Sequence, residues 1–179
     1  MSEKRKVIVY IAASLDGFIA KPNDNLDFLN MVDREGEDYG YFKFIEDIDT
    51  VILGRKTYDW VMTKVDVFPH ADKEAYVITR TSRQAIGKTQ FYTGDLKALI
   101  SELRNRAGKN IFVDGGAEVV NELWRMDLID EIIISIIPIV VGAGVSLFSN
   151  NIPERKLQLL SSKRFESGLV QVHYNVKQH

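Results

Sequence analysis

Short apolar runs rich in Val and Ile recur along the chain at Val7–Ala13, Thr50–Leu53, Ala75–Thr79, Asn110–Val113 and Glu131–Val141, with amphipathic stretches between them. Nearly continuous β-branched runs are what strands covered on both faces require, as in a parallel sheet with packed helices. Helices are predicted ahead of Thr50, over Lys56–Met62, over Asp95–Ala107 and over Ala117–Met126. The third is the clearest: Asp95 can cap it, Leu96, Leu99, Ile100, Leu103 and Ala107 share a face, and Gly108 can end it. The residues after Lys88 also read as a strand, and Pro22–Glu37 reads as an acidic loop and helix. Beyond Val141 the pattern changes to two strand-like runs, Leu157–Glu166 and Leu169–Val176, joined at Ser167 and Gly168 as in a tight hairpin. Val170, Val172, Tyr174 and Val176 alternate with Gln171, His173 and Asn175, which predicts one buried and one wet face. The expectation is a single α/β domain over residues 1–179, with a mixed, mainly parallel central sheet and an antiparallel C-terminal hairpin.

Composition narrows the function classes. A chain of 179 residues favours one core, and 45% hydrophobic with 27% charged residues excludes disorder as the main state. With 23 basic against 25 acidic residues there is no basic field for a nucleic-acid backbone, so any phosphate site must be local. The longest apolar run, Ile132–Val145, is interrupted by Ser135, Pro138 and Gly142 and is too short to span a bilayer, so no membrane association is expected. Met1–Lys6 is charged and leads directly into a strand, unlike a signal peptide. The chain has no cysteine, which removes disulfides, thiolate catalysis and the usual structural zinc, and its three histidines lack metal-ligand spacing. A cytoplasmic protein without a bound metal is expected.

Open α/β sheets bind ligands beyond the carboxyl ends of their strands, so the residues just after each apolar run carry the information. Three such ends are alike: Gly54-Arg55-Lys56-Thr57, Thr79-Arg80-Thr81-Ser82 and Asp114-Gly115-Gly116. Each sets small or basic residues where a helix or loop begins, and together they suit a dinucleotide. Other nucleotide motifs fail. The segment Gly142-Ala143-Gly144-Val145-Ser146-Leu147 lacks the third glycine of the dinucleotide turn, and Gly87-Lys88-Thr89 lacks the first glycine of a P-loop because position 82 is Ser82. A hydrolase elbow around Ser146 would need glycine where Phe148 stands.

Several blocks in order then resemble the dihydrofolate reductase-like superfamily, in particular the reductase domain of riboflavin biosynthesis. They are Ala12–Ala20 with Ser14-Leu15-Asp16-Gly17, Asp49–Tyr58, Val113-Asp114-Gly115-Gly116, Leu128–Glu131, and Pro138–Gly144 leading to Leu147-Phe148. The resemblance covers almost the whole chain. It implies a three-layer α/β/α reductase that takes a hydride from NADPH and delivers it to a pyrimidine- or pterin-type small molecule. The nearest likeness is to 5-amino-6-(5-phosphoribosylamino)uracil reductase; a dihydrofolate or pterin reductase, or a non-catalytic nucleotide-binding protein, are the alternatives. By motif match the cofactor residues would be Ala13, Gly54, Arg55, Lys56, Thr57, Thr79, Arg80, Thr81, Gly115, Gly116, Ala117, Glu118 and Val119. Arg55 and Arg80 would face the 2′-phosphate, and Gly115 and Gly116 would be joined by a cis peptide. For the proton that must accompany the hydride, Asp38 is the first candidate, because Asp38–Lys43 resembles the first-helix segment with a buried carboxylate, and Asp16 is the second. Kinship also implies a homodimer.

The chain departs from these relatives in two places. It lacks the tryptophan-containing and basic segment that the riboflavin reductase sets around its ribose phosphate, and it has Glu118 where dihydrofolate reductases carry a basic residue. His70 and His173 read as surface or turn residues, and Trp60 and Trp124 as packing residues on helices.

Overall fold

The computed structural model describes residues 4–177; the reading of Met1–Lys6 as a non-leader segment falls partly outside them. The parallel strands form where the β-branched runs lie: β1 (Val7–Ser14), β3 (Ile48–Gly54), β4 (Glu74–Ile78), β6 (Asn110–Gly115) and β7 (Glu131–Ile137). With β5 (Thr89–Tyr92) and the C-terminal pair β9 (Leu157–Arg164) and β10 (Val170–Val176), they make an eight-stranded sheet in the order β5-β4-β3-β6-β1-β7-β10-β9. All pairings from β5 to β7 are parallel, and β10 runs antiparallel to both β7 and β9. A separate short ribbon pairs β2 (Phe18–Ala20) with β8 (Val145–Ser146).

Alternation along the central strands loads both faces. Val7, Val9, Ile52, Ile111, Val113 and Ile132 pack on one side against α3 (Leu96–Asn105) and α4 (Ala117–Arg125), whose Leu99, Ile100, Leu103, Val120 and Leu123 are buried. Val51, Leu53, Ala75, Val77 and Phe112 pack on the other side against Phe44 and Ile45 of α1 (Tyr41–Glu46) and Tyr58 of α2 (Arg55–Met62). The result is the three-layer, mainly parallel architecture expected, and Asp95 Oδ1 caps α3 by accepting from the Ala98 amide at 2.7 Å.

Four local expectations need correction. The seventh strand ends at Ile137 rather than Val141, because Pro138 has no amide to continue the ladder. The third helix ends at Asn105, and Pro22–Glu37 holds two short 3-10 turns, Pro22–Asp24 and Asp27–Val32. The hairpin turns through Gly168, at φ +88°, but β9 is exposed along its whole length. Beside it, β10 is half-buried over most of its length: Val170 is exposed and Val176 is its one buried residue, so the expected alternation of a buried and a wet face is not seen.

The amino ends of the parallel strands are tied by charge. Arg5 is buried and donates to the Lys109 carbonyl (2.6 Å), the Leu103 carbonyl (3.0 Å), Thr50 Oγ1 (2.7 Å) and the Asp49 carboxylate. Arg104 binds Asp130, and Glu131 lies 2.8 Å from both Lys6 Nζ and His173 Nε2. Among the described residues no helix is long and apolar enough to cross a membrane.

Candidate active-site cleft

At the carboxyl ends of β1, β3, β4 and β6 the sheet opens into a cleft of about 1340 Å³. Its two halves differ in chemistry.

The first half is built from two helix starts. Gly54 precedes α2 and Gly116 precedes α4, and both helices leave their first amides without intrahelical acceptors. The starts are close. A Cβ on Gly54 would lie 3.6 Å from the Gly116 amide nitrogen, and one on Gly116 would lie 3.1 Å from Thr57 Oγ1. Glycine at both points keeps backbone amides accessible to an anion, and the two helix dipoles add positive potential there. Gly54, Arg55, Lys56, Thr57, Thr79, Arg80, Thr81, Gly116, Ala117, Glu118 and Val119 all line this half. Arg55 is held by Asp59 at 2.8 Å, whose carboxyl is kept below the usual range by Arg83 and Arg55. Lys56 lies 3.7 Å from Glu118, while Arg80 makes no ion pair among the described residues. The Thr79 hydroxyl accepts from the Thr81 amide at 3.1 Å and so shapes the turn that presents Arg80. Gly115 joins Gly116 through a cis peptide bond. Ala13 and Gly115 do not line the cleft themselves; Ala13 is buried in β1, and its neighbour Ala12 faces the opening.

The second half is aromatic and aliphatic. Tyr10, Ile11, Ile19, Leu26, Leu29, Tyr41, Trp60 and Phe112 line it, with carboxylates at Asp24 and Asp114. Tyr10 donates to the Tyr39 carbonyl and accepts from Gln171 Nε2, each at 3.0 Å, so its hydroxyl is engaged and its ring is what it offers. Burial pushes the Tyr10 hydroxyl up, and burial with the nearby Asp114 charge does the same to Tyr41, so both stay protonated. Asp114 lies next to the end of β6, directly before the glycine pair, and His70 Nε2 lies 3.5 Å from its Oδ2. His70 is buried edge-on to Phe68 and Phe112 rather than being a surface residue. Trp60 is partly exposed at the cleft wall instead of packing in the core, whereas Trp124 is buried as expected and donates to the Pro153 carbonyl.

Neither sequence candidate for the acid lines the cleft. Asp38 is not a buried carboxylate: Oδ1 accepts from the Gly40 amide (3.0 Å) and Oδ2 from the Phe42 amide (2.8 Å), which caps the start of α1 and lowers its pKa. Asp16 accepts from Ser14 Oγ (2.6 Å) and from the Val141 (3.0 Å) and Gly142 (2.7 Å) amides. These bonds hold its pKa down to about 2, so it is ionised at neutral pH and serves as a latch between β1 and the segment after Pro138. The residues that sequence reasoning left without a site role are Tyr10, Tyr41, Trp60, His70 and Asp114. Only Asp114 carried a signal, as the one acidic residue directly before the glycine pair. Among the described residues there is no group of three or more His, Cys, Asp or Glu able to hold a metal.

Known proteins share both the sequence and the shape. Residues 5–171 match the RibD C-terminal domain, which is a reductase domain. The chain is 42% identical over 172 residues to the uncharacterized protein YwjB of Bacillus subtilis (strain 168), covering 96% of this chain and 98% of that one. A crystal structure of a protein assigned to riboflavin biosynthesis in Shewanella sp. PV-4 superposes with a TM-score of 0.87 at 30% identity, covering 97% of this chain and 99% of the other. Dihydrofolate reductase from Enterococcus faecalis, solved with NADP(H), superposes with a TM-score of 0.66 at 16% identity over 97% of each chain, which shows the fold alone. The sheet order, the glycine-bounded helix starts and these matches agree that the chain belongs to the family of the RibD C-terminal domain, on a dihydrofolate reductase-like fold.

Proposed function

We propose that the protein is an NADPH-dependent reductase of a pyrimidine- or pterin-type small molecule. The observation that carries this reading is the adjacency of the two helix starts at Gly54 and Gly116 to an aromatic subsite with Asp114 at the junction. NADPH supplies the hydride. The amides that open α2 and α4 would bind its pyrophosphate, with Arg55 and Lys56 adding charge, and Arg80 is free to pair with the 2′-phosphate. Tyr10, Tyr41 and Trp60 would hold a flat ring, and their apolar surfaces exclude water from it.

Reduction of an imine or carbonyl also places a proton on nitrogen or oxygen. Asp38 and Asp16 have spent their carboxylates on backbone amides outside the cleft. Asp114 takes their place in this reading. It lines the cleft, retains partial exposure to solvent, and has His70 Nε2 3.5 Å from its Oδ2, so it can hold the substrate's N–H or the water that delivers the proton.

The test is stepwise. Thermal unfolding with NADPH, with NADH and without nucleotide should show stabilisation by NADPH, about 2.7 kcal/mol at a hundredfold excess over Kd. Loss of NADPH absorbance would then be followed with oxidised pterins and aminopyrimidines. Absence of any nucleotide-dependent shift would end the reductase reading.

A further inference from the structure

We infer that the substrate half of the cleft takes a flat, uncharged or cationic heterocycle without a phosphate group. This deepens the proposed reductase function and rests on it.

The inference comes from how charge is distributed inside one cavity. Every Lys and Arg that lines the cleft, namely Arg55, Lys56 and Arg80, belongs to the helix-start half. The substrate half, by contrast, is walled by Tyr10, Tyr41, Trp60 and Phe112 with aliphatic side chains beside them, and among the described residues the charged groups on that wall are the carboxylates of Asp24 and Asp114. A phosphate monoester placed there would lose water without gaining a cation and would face like charge, which is costly on both counts. Lys21, which follows Ala20 of the cleft wall, is paired with Asp27 at 2.6 Å.

The positive side of the inference follows from the same groups. Tyr10 is held at its hydroxyl by Tyr39 and Gln171 and packs against Phe44 with ring centroids 4.7 Å apart and planes tilted by 33°, so its ring is a fixed wall. Asp114 accepts hydrogen bonds and cannot donate them while ionised, so it selects a ring edge that carries N–H donors or a positive charge. Aminopyrimidines and pterins have such edges. The phosphate of a phosphoribosyl substrate would have no partner.

The experiment uses the full chain and three ligands: an oxidised pterin, an aminopyrimidine riboside, and the 5′-phosphate of that riboside. NADPH oxidation is followed, and binding to the NADPH-loaded protein is measured by thermal shift. At least one unphosphorylated compound should exceed the phosphate ester by about tenfold or more in kcat/KM or in Kd. The variant Leu29→Arg, which adds a cation to the substrate half, should narrow that gap, with NADPH binding unchanged. Equal or better use of the phosphate ester by the unaltered protein would overturn the inference, and so would an NADPH shift with no response to any of the three. Absence of the NADPH shift itself would instead overturn the reductase reading beneath it.

Discussion

The two ends of the central sheet are built on opposite principles. At the amino ends of the strands, Arg5 binds three elements at once and Arg104, Asp130, Glu131, Lys6 and His173 tie the neighbours together. At the carboxyl ends, β3 stops at Gly54 and β6 runs into the glycine pair, and the backbone at Gly54 and Gly116 opens toward the cleft. The amino end meets most of its polar groups internally, with the buried Arg104 Nε left without a hydrogen-bond partner among the described residues, whereas under the proposed function the helix amides and the Asp114 carboxylate at the carboxyl end would be met by ligands. A substitution at one end should therefore change stability with little effect on binding, and one at the other end should do the reverse.

The largest expected effect is at the amino end. Arg5→Ala removes the cation beside Asp49, which keeps the Thr50 hydroxyl and the Lys109 amide, and strips the Leu103 and Lys109 carbonyls of the guanidinium; it should cost about 3 kcal/mol. That lowers Tm by roughly 6 to 12 °C, with the NADPH-induced shift preserved; loss of that shift would show that the two ends are not independent. At the cleft, Asp114→Asn should lower kcat about a hundredfold in the NADPH oxidation assay while Tm and NADPH binding hold, since the change is isosteric. A smaller effect is expected at Gly116→Ala, whose methyl group would press on Thr57 Oγ1 and intrude on the anion site; calorimetric titration should show NADPH Kd raised about fivefold. Arg80→Ala should reduce the preference for NADPH over NADH by a similar factor, because only NADPH carries the 2′-phosphate.

The smallest effect is confined to acid. Asp16 has a folded pKa of about 2 against an ordinary 3.8, so the stability it contributes is present above pH 4 and is lost as the pH falls through 2. Asp16→Asn should flatten the decline of Tm between pH 4 and pH 2. An unchanged slope would mean that the latch to Val141 and Gly142 does not hold in solution.

How much of this was legible in the sequence depends on chain distance. Strands β1, β3 and β6, helix α3 and the glycine-bounded starts of α2 and α4 were legible because each is written in consecutive residues: a β-branched run, a capped amphipathic stretch, or a strand that ends in glycine before a helix. The ribbon of β2 and β8 was not. Its strands are three and two residues long, and it depends on Gly144 lying against the Ala20 carbonyl from a distant part of the chain. The overlong reading of β7 shows the same limit, since the hydrophobic run continued past the point where Pro138 removed the donor. At the site, Asp38 and Asp16 looked available because a carboxylate in a motif does not reveal that backbone amides two to four residues on, or across a loop, have already claimed it. Asp114 was visible as a letter, but its partner His70 and its aromatic surroundings come together only when α1, α2 and β6 are packed.

The run Asp114-Gly115-Gly116-Ala117 places the Asp114 carboxylate, the glycine pair and the first turn of α4 in direct covalent succession. The spacing between that carboxylate and the helix start is thus set by peptide geometry rather than by loop packing. The aromatic and aliphatic walls of the cleft come from other segments, residues 19–29 among them. Under the proposed function, evolution or a protein engineer could rewrite those walls to admit new heterocycles while the distance from Asp114 to the helix start stays put.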